Sequence, residues 1–159
     1  MPEASMRQIV FNYFLLYLMH KLRYPLTLFF DGTCPLCAAE MRQLRALDTA
    51  GRLCFADIYD EDFVARYPHI DVSEADRYLH GEFADGSMIY GLDVTCCAWR
   101  AVGRKPWLVI LRWPLICWFA DIAYRLFARN RYAISYLLVG ERRCERCDTF
   151  TDVDSCGRR

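Results

Sequence analysis

No apolar stretch in this chain reaches the roughly 20 residues a helix needs to cross a bilayer. Ile9–Met19 covers 11 residues, and Trp107–Ala120 covers 14 but contains Arg112 and Pro114. The first run leads into His20-Lys21-Leu22-Arg23 with no small-residue cleavage site, so it does not read as a secretory signal. Hydrolase patterns are missing as well. His20, His69 and His80 show no His-x-x-x-His or His-Glu-x-x-His spacing, and there is no Gly-x-Ser-x-Gly, which leaves zinc-hydrolase and serine-hydrolase chemistry without a motif. Internal repeats, low-complexity tracts and nucleic-acid motifs are also absent, and 20 basic residues balance 20 acidic ones. A polyanion partner therefore has no footprint here.

What the chain does have is apolar mass. Of its 159 residues 55% are hydrophobic and 15% aromatic, enough for one domain with a sizeable core and too much for a disordered chain. Its charge is divided unevenly. Residues 1–99 carry 8 Lys and Arg against 14 Asp and Glu, and residues 100–159 carry 12 against 6. The basic, aromatic C-terminal part is either a solvated face or a surface for an anionic membrane or partner. Nine cysteines is an odd and high number. Without a cleavable signal they point to a reducing compartment, so a cytoplasmic protein is expected, with peripheral membrane contact through residues 107–128 left open.

Periodicity and turn residues divide the chain into four parts. Residues 1–24 read as an apolar helix (Gln8 to Lys21) ending before Pro25, 25–105 as an α/β domain, 106–140 as a helical extension and 141–159 as a polar tail with cysteines. Within the domain, Leu26–Phe30 reads as a buried strand, Pro35–Ala50 as a helix, Leu53–Ile58 as a second strand and Glu61–Tyr67 as a short helix. Asp71–Asp76 reads as a polar connection. Arg77–Phe83 and Ser87–Tyr90 flank the turn Ala84-Asp85-Gly86, and Asp93 is placed to cap a helix running to about Val102. The resulting order, β-α-β-α-β-β-α, is the thioredoxin-like one. In the extension, Pro114 separates Trp107–Trp113 from Leu115–Ala128, whose Leu115, Trp118, Ile122 and Leu126 share a face expected to dock on the core. Asp121 and Arg125 are spaced to pair on the opposite face.

Asp31-Gly32-Thr33-Cys34-Pro35-Leu36-Cys37 joins the first strand to the first helix. A helix start carries unpaired N–H groups and partial positive charge, which favour a thiolate over a thiol. Cys34 falls at that start, with Pro35 suited to the first helical position; Cys37 lies one turn in, on the stripe Cys37, Met41, Leu44. Cys34 is thereby expected to be an exposed, acidified nucleophile and Cys37 a shielded resolving thiol. Asp31 has two readings, a proton acceptor for Cys37 or a cap for the turn. One Cys-x-x-Cys is also half of a zinc site, and Cys144-Glu145-Arg146-Cys147 supplies a second half, a second redox pair or two reactive tail thiols, with Cys156 nearby. Cys54, Cys96, Cys97 and Cys117 read as small buried residues.

The strand, Asp31-Gly-x-Cys34-x-x-Cys37 and the helix resemble the signature of the DCC-type thiol-disulfide oxidoreductase family, named for Asp-Cys-Cys. Ala128-Arg129-Asn130-Arg131-Tyr132 is similar to an Ala-Arg-Asn-Arg-Tyr segment in that family's C-terminal helical part. The resemblance spans about residues 26–147. It implies a thioredoxin-like fold and dithiol-disulfide exchange without an organic cofactor or resident metal, with Asp31, Cys34 and Cys37 as the matching site residues. The implied partners are a disulfide-containing protein or low-molecular-weight thiol and a thioredoxin-like reductant. Two departures from thioredoxin stand out: Pro35-Leu36 separates the cysteines, and no proline occurs between Pro68 and Pro106, where a cis-proline before the third strand is expected. Metal binding by Cys34 and Cys37, and a membrane-peripheral scaffold, are the rival readings.

Overall fold

The computed structural model describes residues 24–113, 116–140 and 143. The expected N-terminal helix and Cys144, Cys147 and Cys156 lie outside the described residues. Strands β1 (Leu26–Phe30), β2 (Leu53–Asp57), β3 (His80–Phe83) and β4 (Met88–Tyr90) form one sheet in the order β2-β1-β3-β4. β1 runs parallel to β2, with Leu26 opposite Leu53 and Phe30 opposite Asp57, and antiparallel to β3, which turns back into β4. A parallel pair needs a crossover, and helix α1 (Pro35–Leu47) provides it. The fold is thioredoxin-like.

β1 is the central strand, so both of its faces are covered. Leu26, Leu28 and Phe30 join Met41 and Leu44 of α1 and Val94, Ala98 and Trp99 of helix α4 (Leu92–Ala101) in one core cluster. Phe29 points the other way, as strand alternation requires. It packs with Phe63 of α2 (Phe63–Arg66) and Ala75 of α3 (Val72–Arg77) in a second cluster. Trp99 Nε1 donates to Glu40 Oε1 at 2.8 Å, tying α4 to α1.

Three elements depart from the sequence reading. Asp71–Asp76 is not an open connection: Asp71 Oδ1 accepts from the N–H groups of Ser73 at 2.7 Å and Glu74 at 3.4 Å, starting α3 and delaying β3 until His80. Helix α4 starts after Gly91, not at an Asp93 cap. Gly91 has φ 58°, and a Cβ there would lie 3.1 Å from the Tyr124 ring, so a side chain would meet both backbone strain and a steric neighbour. Asp93 sits in the first turn and pairs with Arg112 at 2.8 Å.

The largest departure is in the extension. A 3₁₀ segment (Pro106–Arg112) precedes α5, which runs from Cys117 to Val139 and ends at Gly140. The apolar face expected to dock is turned to solvent: Trp118 is 63% exposed and Leu126 58%. Inward lie Tyr124, Arg131 and Ser135. Polar side chains face inward because α5 crosses the polar end of the sheet, where Asp31, Asp76 and the Leu79 N–H need partners. Asp121 takes Arg112 as its partner at 2.9 Å instead of Arg125. No helix among the described residues is long and apolar enough to cross a membrane.

Candidate active site

The C-terminal end of β1 delivers Asp31, 3% exposed, to the loop before α1. Its Oδ1 accepts from Thr33 N at 2.8 Å and Thr33 Oγ1 at 2.6 Å, closing a tight turn. Gly32 is required in that turn. Its N–H donates to Asp57 Oδ1 at 3.1 Å, and a Cβ on it would stand 2.0 Å from Asp57 Oδ2. Cys34 is the helix N-cap, Pro35 follows in the first turn, and Ala38 N donates to the Cys34 carbonyl at 2.9 Å. Cys37 is thereby brought one turn above Cys34, with its side chain against the first sulfur.

The two thiols differ in acidity for a local reason. A hydrogen bond from the Cys37 side chain stabilises the Cys34 thiolate and, against burial and the charge of Asp31, lowers Cys34 to about 7; Arg131 assists. Donating that bond, together with burial and the charge of Cys34, pushes the Cys37 thiol well above its ordinary value. Exposure runs opposite to the sequence reading. Cys34 is 0% exposed, and Cys37 is the partly exposed residue.

The remainder of the site comes from α5, about 100 positions along the chain. Arg131, 6% exposed, places Nη2 3.1 Å from Asp31 Oδ2 and 2.6 Å from Asp76 Oδ1, and its Nη1 donates to the Asp76 carbonyl. Tyr132 Oη donates to Asp31 Oδ2 at 2.5 Å and accepts from Arg143 Nη2 at 2.9 Å. Burial and the Asp31 bond raise the Tyr132 hydroxyl pKa strongly, so it stays a donor. Asp31 thus receives Thr33 on one oxygen and Arg131 with Tyr132 on the other. That geometry is an anchor between loop and helix.

Neither Arg131 nor Tyr132 was a candidate from spacing, because their partners lie 55 to 101 positions away. The signal available was the Ala128–Tyr132 segment. A model of the DCC1-like thiol-disulfide oxidoreductase family matches residues 28–137, taking in both the cysteine pair and this segment. The chain belongs to that family.

In this DCC1-like protein the residue before β3 is Leu79, and its N–H donates to Tyr124 Oη of α5 at 3.2 Å. The chain is 25% identical over 108 residues to the Arabidopsis thaliana protein called Uncharacterized protein At5g50100, chloroplastic; the match covers 67% of this chain and half of that relative. No solved structure matches the chain. Of the other cysteines, Cys97 is buried and Cys96 and Cys117 are partly exposed. Cys54 is buried and disulfide-bonded instead of free. Among the described residues no three His, Cys, Asp or Glu side chains gather as metal ligands.

Proposed function

We propose that this member of a thiol-disulfide oxidoreductase family works by a two-step exchange at Cys34 and Cys37. The observation that carries the proposal is the hydrogen bond from Cys37 to Cys34 at the start of α1, which leaves one sulfur about half ionised near neutral pH and keeps the other protonated. The Cys34 thiolate attacks one sulfur of a substrate disulfide, forming a mixed disulfide and releasing the first substrate thiolate. Cys37 then loses its proton to water and attacks the Cys34 sulfur, releasing the second substrate thiolate. Two electrons pass from the dithiol to the substrate, and the protein ends with a Cys34–Cys37 disulfide. A dithiol protein or a low-molecular-weight thiol would return it to the reduced state. Asp31 holds the loop so that Cys34 stays at the helix end.

The test is a redox titration of the full chain in dithiol buffers, counting thiols on the Cys34–Cys37 peptide by mass spectrometry. Joint two-electron oxidation between about −180 and −270 mV supports exchange. Independent titration of the two thiols refutes it. The greater exposure of Cys37 favours a second reading with roles reversed, in which Cys37 meets the substrate first. Trapping separates the two: a mixed disulfide that accumulates on Cys34 in Cys37→Ser supports the first order, and one on Cys37 in Cys34→Ser the second.

A further inference from the structure

The chemistry at the thiols does not use a groove of about 990 Å³ that begins at Asp76, Arg131 and Tyr132 and runs along α5 toward Asp93 and Arg112. Five arginines line it, Arg77, Arg112, Arg125, Arg129 and Arg131, against three carboxylates. All three carboxylates are committed. Asp93 and Asp121 hold Arg112 at 2.8 and 2.9 Å, and Asp76 holds Arg131 at 2.6 Å. Arg77, Arg125 and Arg129 form no ion pair among the described residues and are exposed. Tyr78, Tyr90 and Tyr124 stand between them as apolar walls with polar tips. At its near end the groove approaches the thiols: Arg131 and Tyr132, two of its lining residues, bond Asp31 Oδ2, and the Asp31 carbonyl accepts from Cys34 N at 3.3 Å.

We propose that this groove is the recognition site for a small disulfide bearing two or more carboxylates, of the size and charge of glutathione disulfide. The assignment rests on the exchange reading above and names its substrate class. Open guanidiniums are built to take carboxylates in paired hydrogen bonds. Each of the three exposed arginines on its own is worth little; their convergence on one groove gives the preference. The volume is that of a site for a small molecule and too small for a folded domain. With the carboxylates held along α5, the S–S bond lies toward Cys37 and Cys34. Exchange consumes one disulfide and one protein dithiol and yields two small thiols and the protein disulfide.

The experiment compares second-order rates of oxidation of the reduced full chain by glutathione disulfide, neutral bis(2-hydroxyethyl) disulfide and cationic cystamine. Binding of S-methylglutathione, which has the carboxylates and no disulfide, is followed by calorimetry. The groove predicts glutathione disulfide ahead of cystamine by about tenfold at low salt, narrowing as salt rises. It also predicts that Arg125→Gln with Arg129→Gln lowers the ratio of the anionic to the neutral rate and weakens S-methylglutathione binding. Absence of S-methylglutathione binding, or a charge preference that the double variant leaves unchanged, overturns the proposal. Binding that depends on the arginines without any oxidation would uphold the groove and sink the exchange reading instead.

Discussion

Among the described residues two pairs of cysteines lie close in sequence, and they behave in opposite ways. Cys34 and Cys37 straddle the first turn of α1, where a three-residue spacing puts both side chains on one edge of a helix end. Cys96 and Cys97 are adjacent within α4, so one turns toward the Leu108 carbonyl at 3.6 Å and the other into the core. Burial is the largest influence on the second pair, outweighs the neighbouring arginines and raises both thiols, Cys97 to about 11. In the first pair burial raises Cys34 too, but the hydrogen bond from Cys37 outweighs it and the result is about 7. Closeness in sequence is therefore no guide to reactivity. The spacing that lets one sulfur donate to the other decides it.

Replacing either side of that comparison gives the largest expected effect. Cys34→Ser removes the ionised sulfur and should bring disulfide reduction to background, whereas Cys96→Ser with Cys97→Ser should leave it within about twofold. Turnover of a chromogenic disulfide reads both. Equal losses would erase the distinction between the pairs. Alkylation by iodoacetamide against pH sharpens it further: Cys34 should label with a midpoint near 7, and Cys97 only as pH approaches 11. The signs for stability also differ. Because its folded pKa lies below the free value of 9.0, Cys34 contributes stability that is present above about pH 9 and lost as pH falls through about 7. Cys97, raised, contributes stability present below pH 9.0 and lost as pH rises through about 11.

Arg131→Met comes next. It strips a guanidinium from two carboxylates, one of them the buried Asp31, and leaving a buried charge unpaired costs about 3–5 kcal/mol. Arg131 also lowers Cys34, so the Cys34 labelling midpoint should move up from about 7 in the variant. Denaturant melts together with the labelling curve check this; a stable variant with an unmoved midpoint would remove Arg131 from the account. Gly32→Ala should cost less, about 1–3 kcal/mol, because the loop has to shift to clear Asp57 Oδ2. Reduced activity without loss of stability would show that the loop moved while the fold absorbed it.

What could be read in the sequence divides along the same lines as the energetics. The strand, the cysteine pair and the helix were legible because each depends on neighbours within a few positions, and the two core clusters follow from alternation on β1. Helix α3 is hard to read from sequence although Asp71 and Glu74 have the spacing of a capping pair, since its inward stripe is only Val72 and Ala75 in an otherwise polar run. Arg131 and Tyr132 could not be placed, because an ion pair closed over about 100 residues leaves no periodic trace. The apolar stripe of α5 was legible as a stripe. Periodicity says that a face is apolar and is silent on what covers it.

That stripe supplies the smallest predicted effect and the second comparison, between the two sides of one helix. Trp118 and Leu126 are more than half exposed, so Trp118→Ser and Leu126→Ser remove little contact with the core and should shift stability by no more than about 0.5 kcal/mol. Tyr124→Phe, on the inward side, takes the acceptor away from the Leu79 N–H and should cost about 1–3 kcal/mol. Urea midpoints for the three variants order the two faces directly. If the serine variants lost as much as Tyr124→Phe, the outward face of α5 would be carrying packing of its own, and the helix would be held from both sides instead of through its inward contacts.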